Sequence, residues 1–261
     1  MVSTAIEKAA LSAASTAYNA NLDLASKSVA KMVMDVVTKL GAGNLQEGLE
    51  AAYPELVAQH SYVHANVALE LYQNMRDAAG MNDGHTVEIS YDSLYKMATG
   101  FARADLEDIA DWADTDGVTQ QLQGSIVKDC GTIADRTLLS WARHDPAKPK
   151  WALVPEPGAC AWCNMIASRG FVYSTEKTLA PVRHPNCRCE SVVSFSKHPK
   201  VSGYDPEALR ETYRKALSNA SGEDAHDERN DMLRQMNKDS GYWRNKYQLK
   251  LKNDAGDAST T

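Results

Sequence analysis

The chain has 261 residues, 43% of them hydrophobic and 7% aromatic, and its 28 lysines and arginines against 34 aspartates and glutamates leave a formal charge of −6. A chain of this length buries roughly three quarters of the surface that its unfolded form exposes, enough for one large core or two modest ones, which excludes a disordered tail. No stretch approaches the roughly 18 uninterrupted apolar residues of a bilayer span, and Met1–Ala20 lacks the basic-then-apolar order of a secretory leader, so the sequence reads as a cytosolic product without a membrane partner.

The first 145 residues read as helix. From Ile6 to Leu40 there is no proline, and Val29, Val33, Val36 and Leu40 recur at helical spacing until Gly41 and Gly43. A second amphipathic run starts near Pro54, a residue suited to a first helical turn, and continues through Val57, His60, His64, Val67, Leu71 and Met75 to Gly80. After the Asn82-Asp83-Gly84 loop, helices are expected from about Ser93 to Asp111 and from Asp116 to Arg143, the last carrying Cys130 on its packed stripe. His60 and His64 read as core histidines. His144 suits the negative end of a helix.

Prolines crowd between His144 and Pro157 and mark a boundary. Short β-leaning runs follow at Trp151–Val154, Phe171–Tyr173 and Cys189–Phe195, around a helical turn at Cys160–Ser168. Asp205-Pro206 opens one more amphipathic helix to about Ser218, then an acidic stretch leads into a basic one, and Asp254–Thr261 reads as disordered. The expected architecture is therefore mainly α: a helical N-terminal domain (1–145), a small α+β Cys/His module (146–200) and a helical, charged C-terminal tail (201–261).

Four of the five cysteines fall between residues 160 and 189. Such clustering in a reducing compartment reads as metal ligation before it reads as disulfides. Cys160-Ala-Trp-Cys163 is followed after 20 residues by His184-Pro-Asn-Cys187-Arg-Cys189. Two Cys at this spacing clamp an ion through a tight turn, and His184 with Cys187 or Cys189 can complete a tetrahedron around Zn²⁺. Five ligands compete for four places. The two knuckles favour Cys160, Cys163, His184 and Cys187, with Cys189 turned to the opposite side if residues 187–190 are extended; the alternative exchanges Cys187 for Cys189. A reduced, metal-free Cys/His core and a disulfide or redox pair are the competing readings. A closed site has no place for a catalytic water, so its expected role is to staple a module too small to bury its own core.

Enzymatic readings find fewer residues. A zinc deaminase needs a His-x-Glu upstream of its Pro-Cys-x-x-Cys turn, and the chain has none. A nuclease needs a further His and a carboxylate around Mg²⁺, and His198, Asp205 and Glu190 form no recognisable set. A thioredoxin-type pair wants a βαβ context, which the prolines before Cys160 do not supply. Near the C-terminus, Arg244, Lys246, Lys250 and Lys252 interleave with Tyr242, Trp243 and Tyr247 without an acidic residue. That pattern suits phosphates and bases or an acidic protein surface, and it equally suits a solvated amphipathic helix.

The Cys160-x-x-Cys163 pair, the following Ile166-Ala-Ser-Arg-Gly-Phe-Val-Tyr173 and His184-x-x-Cys187-x-Cys189 resemble the C-terminal motif region of the Mu F-like minor head proteins of tailed bacteriophages, the actinobacteriophage type in particular. Upstream, Ala52–Val57 and Leu69–Arg76 resemble their helical half. The resemblance spans roughly residues 50–195, and its Cys/His portion is the specific part. It implies a minor capsid component for head morphogenesis, in the virion near the portal and in host cytoplasm during assembly. It further implies contacts with portal, capsid or scaffold protein and with packaged DNA, and no small-molecule substrate. Some relatives carry enzymatic domains after this region; the roughly 65 residues that follow it here are too few for most of them. The resemblance supplies no catalytic residue.

Overall fold

In α1 (Val2–Leu40), Tyr18, Leu22, Ala25, Val29, Val33 and Val36 are buried at steps of three and four, a single stripe that must find a partner face. The computed structural model describes residues 2–81, 83–173, 183–196, 199, 201, 203–222 and 224–240. A one-turn 3₁₀ helix (Ala42–Asn44) reverses the chain, and α2 (Leu45–Ala78) returns antiparallel to bury Leu49, Tyr53, Val57, Leu71, Tyr72 and Met75. α3 (Tyr91–Glu107) and α4 (Thr115–His144) complete the helical body. Asp114 caps α4 by accepting the Gly117 N–H at 2.9 Å.

α2 corrects one expectation: it starts nine residues before Pro54, which lies inside the helix. Proline removes one backbone hydrogen bond, but Leu49, Tyr53 and Pro54 are all buried, and packing against α1 and α4 overrides the local preference.

β1 (Lys150–Val154) pairs antiparallel with β2 (Glu190–Ser194), Trp151 opposite Val193. Phe171–Tyr173 is no strand; only Tyr173 bridges to Trp151, whose ring stacks on it at 4.5 Å. Between the strands lies the seven-residue α5 (Ala161–Ala167). α6 (Pro206–Asn219), capped by Asp205, and α7 (Ala225–Ser240) follow, with Met232 and Met236 packed on Ala161 and Ala216. The described part is therefore mainly helical with one two-stranded sheet.

The proline-rich boundary coincides with the change from helix to strand, yet one hydrophobic cluster runs across it. Trp151, Leu153, Cys163, Ile166, Cys187, Cys189 and Val193 share a core with Leu22, Leu49, Ile126, Ile133 and Leu138. Each fully buried Leu or Ile contributes roughly 1.5–3 kcal/mol. A buried ion pair reinforces the junction: Arg76 at the end of α2 donates to Asp145 just after α4 and to Asp83, and its guanidinium lies 5.5 Å from the Phe195 ring centroid. Among the described residues no helix is long and apolar enough to cross a membrane.

Candidate metal centre

Cys160 is the N-cap of α5, with φ −65° and ψ 161°, and its Sγ accepts the Cys163 N–H at 3.5 Å. A cap and the third residue of the helix it opens point the same way, so the Cys-x-x-Cys spacing brings the two sulfurs together. Opposite them, His184–Cys187 forms a tight turn closed by the Cys187 N–H donating to the His184 carbonyl at 3.1 Å. Asn186 takes the left-handed conformation there, at φ 63°, which asparagine tolerates better than most residues.

This turn is seated on α4. The Asn186 N–H donates to the Gly124 carbonyl at 3.1 Å. A Cβ at Gly124 would stand 3.0 Å from Pro185 Cβ and from Asn186 Nδ2. Two turns along the same face, a Cβ at Gly131 would come within 2.7 Å of the Tyr18 hydroxyl and 2.9 Å of Arg183. Both glycines are places where the helix lets the segment carrying His184 and Cys187 approach.

The structure brings all five predicted ligands together. The ligand atoms of Cys160, Cys163 and His184 lie within 4.8 Å of one another, and so do those of Cys163, Cys187 and Cys189. Cys163 belongs to both groups. Its sulfur is 3.8 Å from Cys187 Sγ, the edge of a tetrahedron with metal–sulfur bonds of about 2.3 Å. Cys189 does not turn away as expected: its sulfur joins those of Cys163 and Cys187, in keeping with the rule that residues two apart in an extended segment share a face. All four thiols are buried.

His184 is oriented as a metal-binding histidine is. Nδ1 lies 2.8 Å from the Pro185 carbonyl, to which it donates when protonated, and Nε2 faces Cys160 Sγ at 3.2 Å. Electrostatics point the same way. Hydrogen bonding from Cys163 holds the Cys160 thiol down, to about 5. Hydrogen bonds from Cys163 and Cys189 bring Cys187 down to about 2, while Cys163 is pushed far up by the anions around it. Bonding to Cys160 raises His184 to about 9. Adjacent buried sulfurs cannot all ionise on their own; a cation among them removes that conflict. The donor set therefore suits a thiophilic metal ion.

Two residues missed by the spacing argument complete the surroundings. Arg183 is buried and grips Asp135 of α4 through two bonds, Nε–Oδ2 at 2.7 Å and Nη2–Oδ1 at 3.0 Å. The available signal was an Asp on the apolar stripe of α4, between Ile133 and Leu138, and an Arg directly before the His-Pro-Asn-Cys run. Elsewhere, His60 and His64 are core histidines bonded to Asn21. The predicted contact residues Trp243, Arg244, Lys246, Tyr247, Lys250 and Lys252 lie outside the described residues.

No curated protein and no solved structure matches the chain. The family described as VG15 protein, a family of phage gene products, matches residues 9–216, across the helical body, the Cys/His centre and most of α6. The chain thus belongs to the VG15 family and is a phage protein.

Proposed function

We propose that this phage protein is a minor head protein of the Mu F-like kind, a structural and assembly component without enzymatic activity, and that its Cys/His centre holds one Zn²⁺ as a staple. The observation that carries the reading is the convergence of the buried thiols of Cys160, Cys163, Cys187 and Cys189 with the half-buried His184 in a cluster seated on α4. Sulfur-rich sets with one imidazole select zinc over hard cations such as Mg²⁺ or Ca²⁺. When bound, the ion supplies neutralisation and cross-linking, joining α5 to the segment before β2. The chain's own residues do the rest: Pro185 orients the imidazole and Gly124 seats the turn.

The helical body then offers rigid surface to portal, capsid or scaffold protein. The basic, aromatic run from Trp243 to Lys252 supplies the cationic surface for packaged DNA; one local segment suffices for phosphate contact even in a chain of net charge −6. Affinity purification of portal complexes from infected cells tests the assembly role: the protein is expected in proheads together with the portal. Its absence from both proheads and virions contradicts that role. A competing reading, a metal-dependent enzyme acting on nucleic acid, predicts instead that a folded Cys163→Ser chain loses a nuclease or deaminase activity that the parent possesses.

A further inference from the structure

A cluster of thiolates with a divalent ion carries net negative charge, and burying that charge requires a fixed positive group beside it. Among the described residues, Arg183 is such a group. The Arg183 guanidinium is buried, and its Nη1 lies 3.4 Å from the Cys187 carbonyl and 4.0 Å from Cys187 Sγ. The other edge of the same fork is held by Asp135 of α4 at 2.7 and 3.0 Å. Its face lies 5.8 Å from the Tyr18 ring centroid on α1, and the missing side chain of Gly131 makes the space. A surface arginine would spread its charge into water. This one is locked by two helices and directed at a ligand.

We propose that Arg183 is the positioning residue and counter-charge of the Cys/His centre, and that through Asp135 and Tyr18 it makes metal loading stabilise α4 and α1 as well as the ligand-bearing segment. The proposal rests on the metal reading above. Arg183 touches no metal itself; it acts through Cys187. The guanidinium fork is required, because one edge must serve Asp135 while another serves Cys187, and a lysine ammonium is a single point. Residues supporting metal ligands in this way typically account for 10–100-fold in affinity.

The test uses the full chain and Co²⁺, whose thiolate charge-transfer band reports the electronic state of the sulfurs. The double variant Arg183→Met/Asp135→Asn removes the counter-charge without leaving a buried carboxylate unpaired. It is expected to bind Co²⁺ at least about tenfold more weakly, with the band shifted to lower energy because the thiolates give up electron density more readily. A purely structural role would weaken folding without moving the band. Parent-like affinity and band position in the folded variant overturn the proposal. Should the double variant not fold, Arg183→Lys carries the test: it is expected to bind several-fold more weakly with a shifted band, and parent-like behaviour again overturns the proposal. A parent chain that takes up no Co²⁺ overturns the metal reading along with it; loss confined to the variants leaves both standing.

Discussion

The sulfurs of Cys163 and Cys187 stand 3.8 Å apart although 24 residues separate them in the chain. Cys163 is also the one thiol common to both donor groups. Five donors are available for four places, so a peripheral one can be spared and Cys163 cannot. A structural site binding with roughly 10–16 kcal/mol over four ligands amounts to about 3 kcal/mol each, or about 100-fold. Cys163→Ser is therefore expected to lose at least that factor in zinc affinity by chelator competition. Cys189→Ser and His184→Ala should each stay within about tenfold of the parent. Equal losses in all three variants would contradict the shared position of Cys163.

His64 makes stability depend on pH. Burial holds its pKa down to about 3, since the ring is wedged against Tyr18 at 4.7 Å and its Nε2 has no hydrogen-bond partner among the described residues. The unfolded chain takes up the proton near 6.5, the folded chain only near 3. Between those values the unfolded state binds more protons, so the His64 contribution to stability is complete above pH 6.5 and falls as the pH drops, by up to about 1.4 kcal/mol per pH unit. Urea unfolding of the parent and of His64→Gln at pH 7 and pH 5 reads the effect. The parent should lose more stability than the variant over that interval; equal losses would show that His64 does not titrate as its burial requires.

Asp129 works in the opposite sense. It is buried beside Asp105, and Lys128 reaches both, at 2.7 Å to Asp105 and 3.3 Å to Asp129. Burial first, and the bond to Asp105 second, raise Asp129 to about 9. The folded chain thus keeps a proton that the unfolded chain releases near 3.8, and stability decreases as the pH rises from that value toward 9. Asp129→Asn is neutral throughout and retains a donor for Asp105. At pH 8 it should be more stable than the parent by at least about 1 kcal/mol, with the gain shrinking toward pH 4. A variant less stable than the parent at pH 8 would count against a shared proton.

Helical periodicity made most of the fold legible, because α1, α3 and α4 each bury a mainly apolar stripe at helical spacing. It failed at Pro54, where the local signal for a helix start is opposed by a buried face extending back to Leu45. It failed again at Phe171–Tyr173, where β-leaning composition yields one bridge because Tyr173 serves as a stacking partner for Trp151. The clustering of the five Cys/His side chains was legible because tight-turn spacing is a local property that survives without tertiary knowledge. The side taken by Cys189 was misjudged, since residues two apart in an extended segment share a face, and the structure keeps Cys189 with Cys187 and Cys163. Nor was the pairing of Arg183 with Asp135 legible, whose partners are 48 residues apart and meet only once α4 is packed.

The same contrast explains Gly124 and Gly131. In the sequence they are two weak points in a long helix. In the structure they are the places where Pro185–Asn186 and Arg183 reach the helix surface. Helix α4 thus combines a packing face with a docking strip for the Cys/His-bearing segment.

The most direct measurement is the metal content of the purified, untagged full chain, taken together with its helical circular dichroism before and after strong chelation. The account predicts one equivalent of zinc per chain, and a chelated chain that unfolds at lower temperature. A folded chain with near-zero zinc, unchanged in thermal stability by the chelator, would contradict it.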